Sequence, residues 1–292
     1  MYRKQEPTQQ KGITMQGIIW IASYPKSGNT WMRAFLANVL SDDKAPVPLK
    51  QMTAMCPGEA LKTWYRSFYG DDFPVDDNVE VSKRRADVQQ RLAATSELPI
   101  FLKTHSYLGQ ANGFDMINGK VTLGAIYIVR NPLDVVISAA PHFNISIDDS
   151  IKQLANPHMA SRPEEKLVFE KTTDWTTHVK SWTPEGHPNF LVLRYEDMLD
   201  EPETAFGKVT KFLNIKKPRR RITRAIENSS FKTLQNLEEK TTFSERPDHA
   251  ERFFRKGKSG QWQDLLSEEQ IKSVVASHRE QMERFGYLPE GY

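Results

Sequence analysis

The octapeptide Tyr24-Pro25-Lys26-Ser27-Gly28-Asn29-Thr30-Trp31 gathers a lysine, three hydroxyls, an amide and a glycine directly behind the apolar run Ile18-Ile19-Trp20-Ile21-Ala22-Ser23. A strand ending at Ser23, a tight turn punctuated by Pro25 and Gly28 and an amphipathic helix over 31–40 leave free amides and a helix dipole facing one point. That point suits an anion, and a nucleotide phosphate is the natural one. The loop is not a Walker A element, which needs Gly-Lys-[Ser/Thr] after a four-residue gap, because Lys26 comes two residues before Gly28.

Further basic stretches recur along the chain. Arg130-Asn131-Pro132-Leu133-Asp134 follows an apolar run, 123–129, that has the composition of a buried parallel strand. Pro132 suits the first turn of a helix that carries Ser138. On these residues alone, Arg130 either fixes an anion or caps the strand end with Asp134 as its partner. Phe254-Arg255-Lys256-Gly257-Lys258-Ser259-Gly260-Gln261-Trp262 sets cations beside glycines, which lets a backbone approach an oxygen closely. It reads as a phosphate grip or as a solvated basic loop. The short apolar strand 98–105 ends in Lys103-Thr104-His105, with Lys103 and His105 on one side because side chains alternate. A histidine suits proton abstraction near neutral pH. A lone one at a strand end equally suits a surface or capping role, and the neighbouring phosphate loop favours the first.

These stretches need a scaffold that brings strand ends together. Strand patterns at 18–23, 98–105, 123–129 and 190–194 alternate with helical ones at 31–40, 164–182, 203–213 and 268–285, as a parallel α/β sheet requires. No Pro- or Gly-rich linker, repeat or low-complexity tract divides the 292 residues. Residues 1–16 are polar and patternless and are expected to be a disordered tail, with 17–292 a single domain.

In their order, the motifs resemble those of the cytosolic-type sulfotransferases, bacterial-like members included, which use PAPS (3′-phosphoadenosine 5′-phosphosulfate). Tyr-Pro-Lys-Ser-Gly-x-Thr-Trp resembles the loop that holds the 5′-phosphosulfate, and Arg-Asn-Pro-x-Asp-x-x-x-Ser resembles the 3′-phosphate motif. Arg-Lys-Gly-x-x-Gly-x-Trp resembles the loop that closes over the 3′-phosphate, and Lys-Thr-His the catalytic strand end. The resemblance runs from about Ile18 to Trp262. It implies an α/β fold, a P-loop three-layer sandwich with a central parallel sheet.

It also implies roles. Lys26, Ser27, Gly28, Asn29 and Thr30 would hold the 5′ group; Arg130, Ser138, Arg255, Lys256 and Gly257 would hold the 3′-phosphate. Trp31 and Phe231 would wall the adenine, Tyr195 would read the base, and Ser229 would bond near the adenine edge or the 3′-phosphate. His105 would take the acceptor proton, Lys26 would stabilise the leaving phosphate, and Lys103 would pair the sulfonate oxygens. Ser138 would compete for Lys26 and so restrain hydrolysis of PAPS until acceptor binds. By residue type alone, the aromatics are ordinary core candidates.

The formal charge of +3, from 40 basic and 37 acidic residues, is too balanced for a nucleic-acid binder. Lys216-Lys217-Pro218-Arg219-Arg220-Arg221 reads as a solvated helix start ahead of a steering patch for anionic PAPS. The single cysteine, Cys56, excludes an intramolecular disulfide and suits a reducing compartment. No signal peptide or membrane-spanning run is read, so a cytoplasmic enzyme with no membrane partner is expected. The seven histidines show no metal-ligand spacing, and no metal is expected.

The pattern departs from the family in three places. Asn29 stands where Thr is usual, Ser106-Tyr107 replaces Leu-Pro, and the dimer element Lys-x-x-x-Thr-Val-x-x-x-Glu gives way to Gln263, Ser267, Glu268 and Lys272. A monomer, or a dimer built on another surface, is expected. The acceptor is a small molecule of open identity. Trp64, Tyr65, Phe68, Tyr69, His142 and Phe143 suit an aromatic one, a phenol or a fused-ring secondary metabolite, or else belong to the core. Asp71, Asp72, Asp76 and Asp77 suit a cationic or sugar-like one, and amines stay open. The stretches 141–165 and 238–253 are long enough to act as lids. Two other classes compete: a P-loop kinase or NTPase, disfavoured by the missing Gly-Lys-[Ser/Thr], and a catalytically inactive module binding PAP, the desulfated product, disfavoured by the intact Lys26, Lys103 and His105.

Overall fold

The computed structural model describes residues 16–292; residues 1–15, nearly all of the expected tail, lie outside them. Its strands are β1 (Ile18–Ser23), β2 (Ile100–Thr104), β3 (Gln110–Ala111), β4 (Phe114–Asp115), β5 (Thr122–Val129) and β6 (Phe190–Arg194). Four of them form an all-parallel sheet in the order β2-β1-β5-β6, and β3 with β4 makes a small antiparallel hairpin. Between β1 and β2 run α1 (Asn29–Leu40), α2 (Leu49–Met55), α3 (Lys62–Tyr69) and α4 (Asn78–Ala93). Between β5 and β6 run α5 (Pro132–Phe143), α6 (Ile147–Leu154) and α7 (Trp175–Trp182). After β6 come α8 (Tyr195–Asp200), α9 (Pro202–Phe212), α10 (Arg219–Asn228), α11 (Phe231–Lys240), α12 (Trp262–Leu265) and α13 (Glu268–Arg284).

The continuous apolar runs of β1 and β5 reflect burial on both faces. Trp20, Ala22, Ala125, Tyr127 and Val129 enter one core with α4, α7 and α13, whereas Ile21, Ile126 and Ile128 enter a second with α1 and α9. Period-two alternation thus feeds two cores, and helices on both faces complete the three layers. The chain leaves β1 for β2 on one side and then crosses to β5 on the other. The strand order reverses there, and in open α/β sheets ligands bind beyond the carboxyl ends at such a switch point. No helix among the described residues is long and apolar enough to cross a membrane.

Two expectations need correction. The helix expected over 164–182 exists only as α7. The preceding stretch is extended: Lys62 N–H donates to Lys166 O (2.9 Å) and Val168 N–H to Ala60 O (2.8 Å), and Thr173 takes φ 59°. Pairing with 60–62 satisfies this backbone and overrides its helical periodicity. Nor is 141–165 an open lid, because α5 runs on to Phe143 and α6 fills 147–154, with Ser150 Oγ donating to Val136 O at 3.0 Å. Within 238–253, residues 238–240 complete α11 and 241–253 form a loop that stays packed on the fold: Phe243 is buried, Glu245 pairs with Arg33 (2.7 Å), and the buried Glu238 carboxylate accepts the N–H groups of Phe253 (2.6 Å) and Phe254 (3.0 Å).

Elsewhere the local chemistry follows the residues. Ser267 and Gln270 form a capping box at the start of α13. The basic stretch at 216–221 is a solvated helix start, with Arg219 on Glu203 and with Lys217 and Arg221 on Asp42.

Behind the carboxyl end of β2, the fully buried Glu59 and Arg85 pair at 2.5 Å, Arg85 also donates to Phe169 O, and Thr104 Oγ1 donates to Glu59 (3.4 Å). Arg85→Leu should therefore strand a carboxylate and cost about 3–5 kcal/mol. Urea unfolding reads this directly, and an unchanged midpoint would contradict it.

Candidate active site

All strands of the main sheet run parallel, so their carboxyl ends share one edge. Beyond that edge lie the Lys26 loop after β1, His105 after β2, Arg130 after β5 and Tyr195 after β6. The Lys26 loop is wound left-handed at Lys26 (φ 66°) and Gly28 (φ 103°). A Cβ on Gly28 would stand 2.7 Å from the Tyr195 ring, which admits only glycine. The first amides taken up inside α1 are those of Trp31 and Met32, which donate to Gly28 O at 3.0 and 3.2 Å. Those of Ser27, Gly28, Asn29 and Thr30 find no acceptor among the described residues, and the buried Ser27 Oγ has no partner. Successive amides turned to one side in this way form a nest of the kind that receives an anion. Asn29 differs from expectation: its Nδ2 donates to Ile21 O (2.8 Å) and Ser23 Oγ (3.4 Å), fastening the loop to β1. Its backbone N–H is what remains for an anion.

Arg130 joins this loop to the distant basic one. Its Nη1 donates to Lys26 O (2.8 Å) and its Nη2 to Lys258 O (3.0 Å), while the guanidinium lies 4.3 Å from the Tyr195 ring centroid. The fork expected to meet a 3′-phosphate thus gives one N–H of each Nη to a carbonyl, and the buried Nε has no partner among the described residues. Nor is Asp134 its partner, since that carboxylate accepts the N–H groups of Gly260 (2.7 Å) and Trp262 (3.3 Å). Arg255 Nη2 reaches Ile137 O at 3.3 Å, next to the half-buried Ser138. Lys256 is exposed, and the loop borders a cleft of about 530 Å³ lined by Phe231, Gln235, Arg255, Lys256 and Lys258. Gly257 (φ 60°) lies so close to Phe231 that a Cβ would overlap the ring at 2.2 Å. Trp31 stands edge-on to Tyr195 at 5.9 Å with its buried Nε1 unpartnered. Ser229 is fully buried, its Oγ donating to Ile226 O (3.1 Å), so its hydroxyl serves the end of α10.

The His105 ring is held through Nδ1, which lies 2.8 Å from Ser23 O and 3.5 Å from Ser23 Oγ. A carbonyl only accepts, so Nδ1 carries the hydrogen and Nε2 is left with a lone pair. The His105 N–H donates to Glu170 Oε1 (2.9 Å). Burial first, and then the Lys103 cation, pull the imidazole down to about 4, so it is neutral at pH 7. Lys26 is pulled down to about 7 by burial and by Arg130 and Arg255, and its ammonium rests 4.6 Å from the Phe253 ring centroid.

Sequence reasoning missed Glu170 and Glu245. Although burial raises the Glu245 carboxyl, Arg33 (2.7 Å away) and Lys103 bring it down to about 2. Against burial, Lys103 and His105 hold Glu170 below the usual carboxylate range. Glu170 had one signal, an acid directly after the apolar pair Val168-Phe169; Glu245 had none. Of the aromatics at 64–69, Tyr65 is buried, Trp64 Nε1 donates to Gly58 O (2.9 Å) and Tyr69 stacks on Phe73, so they serve packing. His142 meets Phe253 edge-on at 6.0 Å, with burial and the Lys26 charge lowering it to about 3. Among the described residues, no group of three or more His, Cys, Asp or Glu is disposed to hold a metal.

The sulfotransferase domain family matches residues 16–286. The chain belongs to that family. Among curated relatives, dog (Canis lupus familiaris) sulfotransferase 1A1 is 26% identical over 279 residues, covering 91% of this chain and 83% of that protein. The flavonol 3-sulfotransferase of Flaveria bidentis is 25% identical over 275 residues, covering 88% and 78%. Retinol dehydratase solved with androsterone and inactive cofactor PAP aligns with TM-score 0.62 at 23% identity, over 91% of this chain and 80% of that one. A mouse sulfotransferase complexed with PAP aligns with TM-score 0.62 at 18% identity, over 91% and 84%. These likenesses place the three-layer sheet and its switch-point edge within the sulfotransferase fold.

A sulfotransferase loop whose lysine sits near 7 must take up a proton to meet a dianion above that pH. Calorimetry of PAP binding at pH 8 in buffers of different ionisation enthalpy should show net proton uptake, lost in Lys26→Met. Binding without proton exchange at pH 8 would contradict the lowered Lys26.

Proposed function

We propose that residues 17–292 act as one domain that transfers a sulfuryl group from PAPS to a hydroxyl of a small-molecule acceptor. The observation that carries this is Arg130, whose guanidinium ties two anion-binding loops together. A nucleotide with a phosphate at each end would use both loops, whereas ATP would leave the Arg255–Gly257 loop without a ligand. In the reaction, the acceptor O–H loses its proton to His105 Nε2 as its oxygen bonds sulfur. The bond from sulfur to the 5′-phosphate oxygen breaks, and the electron pair stays on PAP. Lys26 and the amides of 27–30 neutralise that charge, and Lys103 pairs the sulfonate oxygens. Lys26, lowered to about 7, becomes fully protonated as the anion arrives, and a neutral His105 is ready as base at pH 7.

Phe253 and His142 beside Lys26, with the exposed Phe143, support an acceptor with an apolar body. Relatives named for flavonol and solved with androsterone support the same class. Residues 262–270 are engaged in α12 and in the cap of α13, which supports a monomer or a dimer built on another surface.

Label transfer tests the reaction. Wild-type protein should move ³⁵S from PAPS to a phenolic or steroidal alcohol and move no ³²P from γ-labelled ATP. His105→Ala should lose about 10²–10⁴-fold in rate with PAP affinity nearly intact. Phosphate transfer from ATP, or a His105→Ala rate near wild type, would overturn the reading.

A further inference from the structure

His178 is fully buried on α7 and takes no part in the transfer as derived above. Both of its ring nitrogens are nevertheless engaged. Nε2 lies 3.0 Å from the main-chain oxygen of His105, and Nδ1 lies 2.9 Å from the hydroxyl of Tyr127 on β5. The carbonyl oxygen only accepts, so Nε2 carries the hydrogen. Nδ1 then holds the lone pair, and the Tyr127 hydroxyl must donate to it. The chain runs in one direction, from Tyr127 O–H to His178 Nδ1 and from His178 Nε2–H to His105 C=O.

His105 follows the last residue of β2, so no sheet ladder holds its peptide. Its N–H goes to Glu170 and its C=O to His178. The next carbonyl, Ser106 O, accepts from Trp182 Nε1 (3.0 Å), also on α7. We propose that Tyr127 and His178 are positioning residues for the base: they fix the His105 peptide so that its ring reaches Ser23 O and presents Nε2 to the acceptor. This rests on the reading of His105 as the base. An uncharged donor suits the place. A lysine or arginine there would add a positive charge beside an imidazole already depressed by Lys103. Burial keeps His178 neutral, lowering it to about 3, and drives the Tyr127 phenol up, so neither end of the chain ionises in the working range.

The test compares His178→Gln, whose amide can still donate to the His105 carbonyl, with His178→Leu, which cannot, alongside Tyr127→Phe and His105→Ala. His178→Leu should lower kcat about 10–100-fold, the scale of a displaced catalytic group, with acceptor KM and PAP affinity held within about twofold. Tyr127→Phe should lower kcat in the same direction by less, and His178→Gln should restore most of the loss. Nitrogen-15 NMR of the His105 ring should show a single Nδ1–H tautomer in wild type and His178→Gln, and exchanging tautomers in His178→Leu. Wild-type kcat in His178→Leu and Tyr127→Phe would overturn the proposal. So would equal losses in the Gln and Leu variants with an unaltered His105 spectrum. If His178→Leu does not fold, Tyr127→Phe, which removes a single oxygen, decides by the same two readouts. A near wild-type rate in His105→Ala would defeat the base assignment itself. An inactive His105→Ala beside a fully active Tyr127→Phe and His178→Leu would defeat only the positioning.

Discussion

One guanidinium governs the geometry of this site. Arg130 leaves the end of β5 and donates to the carbonyls of Lys26 and Lys258, the second of which lies 128 residues further along the chain. The planar fork fixes both distances at once, which a flexible ammonium would not. The Tyr195 ring supports its face and also sits where only a glycine at 28 can pass. The donor nest at 27–30 and the cationic loop at 255–258 therefore have a set spacing before any ligand arrives. Asp134 adds a second fastening by holding Gly260 and Trp262 against the start of α5.

Charge is concentrated around that framework in a way that burial alone would forbid. Lys26, Lys103, Arg130 and Arg255 converge, and the Lys26 ammonium is driven down toward neutrality. Glu245 and Glu170 offset part of the positive field, and both stay ionised because cations surround them. The result is a positive site suited to an anionic ligand, with a neutral imidazole beside it. His105 is neutral for the same reason that Lys26 is weakened: both are desolvated beside cations.

Much of this was legible in the residues, and the parts that were not share a cause. β1 and β5 announced themselves as continuous apolar runs because both of their faces are buried, and α13 was legible from its helical pattern over 268–285. The left-handed turn at Gly28 was legible from the glycine itself. The direction of the Asn29 side chain was not legible, because an amide serves equally well outward to a phosphate or inward to Ile21 O, and only the path of β1 decides. Arg130 was placed correctly at its strand end, yet its partners are main-chain oxygens, which carry no sequence signature. The extended stretch before α7 depends on pairing with 60–62, a hundred residues away, and its own periodicity could not report that. Glu170, Glu245 and His178 were missed for the same reason, since each acts only through what the fold brings to it.

The central claim is that the loops joined by Arg130 bind a nucleotide phosphorylated at both ends, and calorimetry with PAP and AMP tests it most directly. Removing the 3′-phosphate should cost about 100-fold in affinity, the scale of two charge-assisted hydrogen bonds. Arg130→Lys, which keeps the charge and loses the fork, should abolish most of that difference. Equal affinities for PAP and AMP, or an undiminished difference in Arg130→Lys, would contradict the account.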